Sequence, residues 1–294
     1  MDMNEAVSEG RLVDIGDVGL YVVERGRGYP ILCLHGGPGM DHTMWADYPD
    51  ALTDEFRLVL VDQRANGRSD RGRQESWSLE QHATDVVRLA ESMGFERYAV
   101  LGHSYGAIVA LQNAVSHPGA ATQSIISSGV GARRYLDDVW RRLAEFEPAE
   151  LREQVTWSWK RETEVRTQED VAEITHAQLP MQFGDPFDPR IGEYEERTKH
   201  GVHSPVVLSH FAAEGYGGIE VEDRLGVVIQ PVLVLAGRMD RTCPVEAAEA
   251  IASGVPDAEL HVFERSGQMT FVEENEAYVW VVRDFLTRHA THFG

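Results

Sequence analysis

A serine stands between two glycines at residues 102–106, which read GHSYG and match the pattern G-x-S-x-G. The apolar run YAVL before this segment is typical of a strand, and the run GAIVALQNAV after it has helical spacing. The flanking glycines permit a turn so tight that the serine hydroxyl is lifted clear of the sheet. We therefore predict that Ser104 is a nucleophile that attacks a carbonyl carbon.

A glycine-rich segment, HGGPG at residues 35–39, follows the strand-like run ILCL. When a serine attacks a carbonyl, backbone N–H groups must stabilise the negative charge that develops on the oxygen. Glycines allow the backbone to approach that oxygen closely. We predict that the two donors are the amides of Gly37 and of Tyr105, the residue after the nucleophile. His35 is expected to brace this loop.

Four motifs together resemble the proline iminopeptidases and their relatives in the α/β-hydrolase superfamily: HGGPG, VDQRANGRSD at 61–70, GHSYG, and GRMD at 237–240. HGGPG is the most specific of them, and the resemblance covers nearly the whole chain outside a central helical segment. It implies an α/β-hydrolase fold and a Ser-His-Asp triad that cleaves amide or ester bonds of small substrates. It also implies that Asp240 is the triad acid, which would orient the imidazole.

The resemblance places the catalytic histidine in the loop after the strand-like run ELHVFE, where this chain reads SGQM at residues 266–269. Gln268 has no nitrogen that titrates near neutral pH, so it can neither accept the Ser104 proton nor return one. The other candidate bases lie in a strand, beside the nucleophile or in the helical segment: His261, His103, His203 and His210. We predict that Gln268 occupies the histidine position and leaves the site inactive or severely impaired.

Several functions remain open at this point. A proline-iminopeptidase-like hydrolase would need an acidic group for a substrate amine, and Glu214 is a candidate, with Trp157 as a candidate wall of the pocket; a charged helix face and a small helical core explain them equally well. Arg241 would repel an ammonium group if it pointed inward, which favours a carboxylester or lactone hydrolase. A non-catalytic ligand-binding homologue is the third hypothesis. Gln268 could also be a replacement introduced to trap a ligand.

The elements that would position these residues alternate between strands and helices. Eight runs rich in β-branched residues predict strands at 11–14, 20–24, 31–34, 58–61, 98–101, 124–127, 232–235 and 259–263. The first two are expected to form a hairpin, and helical spacing recurs at 83–90, 108–115 and 278–285. The sequence predicts an α/β fold with a mostly parallel eight-stranded sheet flanked by helices.

The pattern of residues changes near residue 131. From there to about residue 226, charged helical stretches replace the strand patterns. We predict an α/β-hydrolase core at 1–130 and 227–294 and a helical cap, or lid, at 131–226. The cap would cover the carboxyl edge of the sheet, where such folds bind ligands.

Composition limits the partners. Apolar residues make up 43% of the 294 residues and charged residues 26%, which is typical of a folded globular protein. A formal charge of −21 repels nucleic acid and anionic membrane surfaces, so a small molecule or short peptide is the expected partner. The two cysteines suggest no metal site, and serine chemistry needs no cofactor. The first ten residues lack a basic and apolar leader pattern, so a cytoplasmic location is expected.

Overall fold

A single eight-stranded sheet organises the molecule in the computed structural model, which describes residues 9–290. Residues 1–8 and 291–294, which the predicted core ranges include, lie outside the described residues. The strands are β1 (Arg11–Asp14), β2 (Gly19–Gly26), β3 (Tyr29–Leu34), β4 (Phe56–Val61), β5 (Ala99–His103), β6 (Gln123–Ser127), β7 (Val232–Gly237) and β8 (Ala258–Phe263). All eight predicted strands are confirmed.

The order of the strands across the sheet is β1-β2-β4-β3-β5-β6-β7-β8. The pairs β1–β2 and β2–β4 are antiparallel, and the remaining pairs are parallel. The predicted hairpin is therefore β1–β2. The parallel strands β3 to β8 all end at one edge, which brings the loops that follow them together.

Eleven helices accompany these strands within the described residues: α1 (Leu79–Ser92), α2 (Tyr105–Ser116), α3 (Arg134–Asp137), α4 (Val139–Ala144), α5 (Ala149–Arg161), α6 (Gln168–Gln182), α7 (Arg190–Thr198), α8 (Pro205–Ala213), α9 (Val245–Gly254), α10 (Thr270–Glu273) and α11 (Asn275–Ala290). Ser78 caps α1, since its hydroxyl accepts a hydrogen bond from the Gln81 amide. Short 3₁₀ turns occur at His42–Trp45, Asp50–Leu52, Gln74–Ser76 and Glu222–Val227.

Side chains alternate along each strand, so the sheet carries an apolar core on both faces. Leu32 and Leu34 belong to a cluster with apolar residues of α1, α2 and α9. Ile31 and Cys33 point the other way, into a cluster with residues of α10 and α11. Both faces of the central strands are thereby removed from water.

Residues 131–226 contain α3 to α8 and contribute no strand to the sheet among the described residues. The two ends of the segment meet, because Ala132 and Glu220 form an antiparallel bridge and the Val221 amide donates to the Gly131 carbonyl. The segment still shares the core of the sheet, as shown by Phe211 in one cluster and by Leu179 and Tyr194 in the other. Its role as a separable cap stays a prediction.

Within residues 9–290, no helix combines the length and the apolar character that a membrane crossing requires.

Candidate active site

Ser104 sits at the sharp turn between β5 and α2, with φ 54° and ψ −116°, a backbone conformation that non-glycine residues rarely adopt. A Cβ atom at Gly102 would collide with the carbonyl oxygen of Gly106, and one at Gly106 would collide with the carbonyl oxygen of Leu34. Only glycine therefore fits on either side of the serine. The cost of the strained serine backbone is met by the strand and helix that hold both of its ends.

A cavity of about 100 Å³ opens over Ser104 and is also lined by Gly37, Tyr105 and Gln268. Tyr105 is the first residue of α2, so its amide has no partner within the helix. Gly37 has φ 99°, which lies in the left-handed region that favours glycine. The two predicted oxyanion donors thus border the same cavity as the serine. Their role in stabilising an oxyanion stays a prediction.

The HGGPG loop is held from behind by the loop that follows β4. The Asn66 side-chain oxygen accepts a hydrogen bond from the Gly39 amide at 2.7 Å. His35 is buried, its Nδ1 donates to the Gly36 carbonyl at 2.6 Å, and its Nε2 accepts from the Gln63 amide at 3.2 Å. These contacts brace the loop, as expected for His35.

Gln268 lies directly over the nucleophile. Its Nε2 donates to Ser104 Oγ at 3.2 Å and contacts Cys243 Sγ at 3.7 Å. Its backbone is fixed on both sides, because its amide donates to the Gln182 carbonyl at 2.6 Å and its carbonyl accepts from Ser128 Oγ at 2.9 Å. The structure therefore brings Gln268 and Ser104 together, with the serine oxygen as the acceptor.

Asp240 follows β7 and is buried. Its Oδ1 accepts the amides of Thr242 and Cys243, both at 2.8 Å, while its Oδ2 has no hydrogen-bond donor among residues 9–290. Burial raises the pKa of the Asp240 carboxyl to about 7. One oxygen of this carboxyl is thus held by the backbone, and the other is free to accept a hydrogen bond.

Among the described residues, His103 is the one histidine that lines the cavity. Burial lowers its pKa to about 3, and its ring packs edge-on against Phe271 at a centroid distance of 4.9 Å. His261 lies in β8 against Phe263. Neither histidine is placed to substitute for the missing imidazole.

Sequence reasoning missed Glu162, the carboxyl group of this cavity. Glu162 is buried, accepts a hydrogen bond from Gln178 Nε2 at 2.6 Å and accepts another from the Tyr216 hydroxyl. Burial raises its pKa to about 7. No lysine or arginine lines the cavity within the described part of the chain. The available signal was helical spacing, which continues from Val155 and Ser158 on the buried face of α5 to position 162, directly after the helix.

The predicted pocket residues Glu214 and Trp157 do not line the cavity. Glu214 is exposed at the end of α8. Trp157 stands two residues after the buried Val155 and thus on the opposite side of α5, where the Arg161 guanidinium lies 5.1 Å from its ring centroid. This corrects the prediction for both side chains, and Trp159 lines the cavity instead.

Arg241 does not face the cavity either. Its guanidinium donates to the carbonyl oxygens of Phe183 at 2.7 Å and Gly184 at 3.1 Å, and it lies over the ring of Phe146. The electrostatic argument against an ammonium ligand therefore does not apply.

One cluster could be considered for a metal ion: Asp41, His42 and Asp62 lie close together and are buried. Its oxygens already serve the loops around it. Asp62 accepts the amides of His42 and Arg68, each at 2.8 Å, and Asp41 accepts the Val202 amide at 2.8 Å. These hydrogen bonds explain the cluster as a structural one that holds the surrounding loops together.

Comparison with known proteins agrees with this geometry. The sequence pattern of the alpha/beta hydrolase fold matches residues 29–275. The proline iminopeptidase of Heyndrickxia coagulans is 27% identical over 275 residues, which cover 90% of this chain and 92% of that protein. A putative carbamate hydrolase of Caulobacter sp. is 26% identical over 274 residues, 87% of this chain and 95% of that protein.

A solved α/β fold family hydrolase from Bacillus anthracis str. Sterne shares the fold, with a TM-score of 0.79 at 20% identity over 95% of this chain and 99% of that chain. The resemblance to proline iminopeptidases that the motifs indicated is thus confirmed. The match of the family pattern spans most of the sheet and both loops that border Ser104. The chain therefore belongs to the α/β-hydrolase fold family.

Proposed function

We propose that this chain has the architecture of a proline-iminopeptidase-like serine hydrolase. It binds a small carbonyl compound over Ser104 but hydrolyses it very slowly or not at all. The observation that carries the proposal is the hydrogen bond from Gln268 Nε2 to Ser104 Oγ. Ser104 would be the nucleophile, Gly37 and Tyr105 the oxyanion donors and Asp240 the acid that lacks its imidazole partner.

The amide of Gln268 opposes catalysis in two ways. Its N–H group engages a lone pair of the serine oxygen that attack on a carbonyl requires. The amide also offers no nitrogen that could take the serine proton, so the hydroxyl stays protonated. Loss of a triad base leaves only the contribution of the oxyanion hole and of binding, a decrease on the order of 10⁶ in kcat, or about 8 kcal/mol of barrier.

With a histidine at position 268, the same site would support two-step acyl transfer. Ser104 would attack the carbonyl, the imidazole would take the serine proton and pass it to the leaving group, and water would release the acyl group from Ser104. Asp240 Oδ2, which is buried and has no donor in the described part of the chain, would accept the second N–H of the imidazole.

We further propose that the ligand carries a free amine. Glu162 supports this, since its buried carboxyl faces the cavity and its hydrogen-bond partners within residues 9–290, Gln178 and Tyr216, are neutral. An ammonium group would supply the charge that compensates an ionised Glu162. The relatives include an iminopeptidase and a putative carbamate hydrolase, so an amide or related bond is favoured over a simple ester.

Two rivals make different predictions. A carboxylester or lactone hydrolase would bind neutral ligands as well as aminoacyl ones, so Glu162→Gln would affect both alike. A non-catalytic binding homologue would stay inactive even with an imidazole at position 268, although it would still bind its ligand.

Labelling with an alkyl fluorophosphonate tests the proposal, because this reagent reacts with an activated serine. The unmodified chain should label orders of magnitude more slowly than Gln268→His. Gln268→Asn, which keeps an amide at this position, should also label slowly. Ser104→Ala in the Gln268→His background should abolish labelling. Rapid labelling of Ser104 in the unmodified chain would contradict the proposal, since it would show that another group acts as the base.

A further inference from the structure

A second hollow lies on the outer side of the helical segment and shares a wall with the cavity over Ser104. This groove has a volume of about 350 Å³ and is lined by residues of α3, α4, α5 and the end of α8. Four residues line both hollows: Leu136, Trp159, Glu162 and Tyr216. The cavity and the larger groove are thus separated by these side chains.

Tyr216 is the member of this wall with the most distinctive backbone. Residues 215–218 read GYGG, and all four have positive φ: 62°, 56°, 85° and 63°. Tyr216 is the one residue of the run with a side chain, and its left-handed conformation has a cost that a glycine would not incur. Its amide donates to the Phe211 carbonyl at 2.7 Å, which fixes the turn after α8.

The phenol of Tyr216 is fixed as well. Its hydroxyl donates to the Glu162 carboxyl, whose other hydrogen bond comes from Gln178. A tyrosine held at both its backbone and its hydroxyl, in a run otherwise made of glycine, suggests that the side chain at this position has a function.

We propose that Tyr216 is a specificity-determining residue, which closes the cavity over Ser104 against the groove and so limits the length of the ligand. The proposal rests on the proposed function in one respect, that a ligand binds in the cavity over Ser104. It does not require that the ligand be hydrolysed. Removal of the phenol ring would join the two hollows. A longer ligand could then extend beyond Glu162 into the groove.

The groove has the chemistry to hold such an extension. The indole of Trp140 is 48% exposed there, and Trp159 contributes a second indole from the shared wall. Charges of both signs line the same hollow, because Arg133 pairs with Asp137, and Lys160 lies in the same lining as Glu162. An aromatic extension is therefore the class that the joined site would accept.

Cys243 offers a test that is independent of catalysis. It lines the cavity beside Gln268 and is 3% exposed, whereas the other cysteine, Cys33, is 0% exposed within β3. We would measure the rate constants for modification of Cys243 by a small reagent, methyl methanethiosulfonate, and by a bulky aromatic one, dithiobis(nitrobenzoate). The ratio of the two rates cancels any change in the fraction of Cys243 thiolate. Modification of Cys33 would reveal global unfolding.

Tyr216→Ala removes the ring that separates the two hollows, so it should raise the ratio of bulky to small reagent rates by about tenfold or more, which corresponds to about 1.4 kcal/mol of barrier. Tyr216→Phe, which keeps the ring and loses only the bond to Glu162, should raise it less. Trp157→Ala is the matched control, because this aromatic residue lines neither hollow, and its ratio should equal that of the parent chain. An unchanged ratio in both Tyr216 variants would overturn the proposal, whether or not Gln268→His proves active.

Discussion

The carboxyl of Asp240 and the amide of Gln268 belong to the same predicted catalytic set, yet no hydrogen bond joins them. Gln268 donates to Ser104, while Asp240 Oδ2 has no donor among residues 9–290. A buried carboxylate oxygen without a donor costs free energy, because lost hydration is not replaced. The local arrangement is the one expected of a triad whose acid lacks an imidazole to orient.

Stability against pH tests the state of Asp240. Burial raises its pKa from 3.8 to about 7, so the ionised form destabilises the fold. This penalty is absent below about pH 3.8, grows as the pH rises, and is complete above about pH 7, where it is on the order of a few kcal/mol. Asp240→Asn should therefore raise the Tm at pH 8, and the gain should shrink toward pH 4.

Thermal denaturation from pH 4 to pH 8 measures this effect. Asp188→Asn is the control, because Asp188 pairs with Arg190, which lowers the pKa of the Asp188 carboxyl. This control should lose stability at pH 8. A Tm for Asp240→Asn equal to or below that of the parent at pH 8 would contradict the assignment of Asp240 as a carboxyl whose pKa is raised by burial.

Ligand binding tests Glu162. Glu162→Gln should weaken binding of an amino acid amide by about tenfold or more while leaving its deaminated analogue unaffected, because only the former pairs with a buried charge. Burial raises the Glu162 pKa to about 7, so affinity for the amine should increase as the pH rises from 5 to 7 and the carboxyl ionises. Calorimetry on the parent chain and on Glu162→Gln, both with Gln268 in place, measures the two effects.

Glu214→Gln is the matched control for this experiment, because Glu214 is exposed and lies outside the cavity. Its affinity for the amide should equal that of the parent. Equal losses for the amide and for the deaminated analogue in Glu162→Gln would remove Glu162 from amine recognition.

At the scale of elements, the turn between β5 and α2 depends on its two glycines. A methyl group at Gly106 would meet the backbone of Leu34 and His35, which cannot yield without shifting β3. Gly106→Ala should therefore destabilise the fold by about 3 kcal/mol or more. Gly192→Ala, in α7 with open space around it, should stabilise by about 0.5–1 kcal/mol.

Urea denaturation of both variants gives the two free energies of unfolding. The comparison separates the collision at Gly106 from the general effect of adding a methyl group. A Gly106→Ala variant as stable as Gly192→Ala would show that the turn is not constrained in the way described.

The strands and the turn at Ser104 could be predicted from the sequence because local patterns determine them. β-Branched runs mark buried strands, and the glycine spacing marks the turn. The side chains that α5 and α8 present to the cavity could not be predicted in the same way. Trp157 and Trp159 are equally good candidates in sequence, and only the packing of α5 decides that Trp159 faces inward. Glu162 was missed and Glu214 chosen for the same reason.

At the scale of the whole molecule, the predicted cap packs into the core of the sheet. Phe211 packs in one core cluster of the sheet, and Leu179, Phe183 and Tyr194 pack in the other. The bridge between Ala132 and Glu220 also ties the ends of the segment together. Residues 131–226 and the sheet therefore stabilise each other.

Unfolding should accordingly be a single cooperative transition. Three of the six tryptophans lie in the helical segment, namely Trp140, Trp157 and Trp159, so part of the tryptophan fluorescence reports on that segment, whereas circular dichroism follows all helices and strands. Denaturation curves from the two signals should coincide. A separate early transition in either signal would contradict a single cooperative transition.

The most direct test of the account is the turnover number of Gln268→His. Hydrolysis of aminoacyl anilides and activated aryl esters would be measured for the parent chain and for Gln268→His, with Ser104→Ala in the latter background as the control. We predict a nearly inert parent and a gain on the order of 10⁶ in kcat that depends on Ser104. Substantial Ser104-dependent turnover by the parent would contradict the account, and inactivity of Gln268→His across the panel would favour a ligand-binding protein.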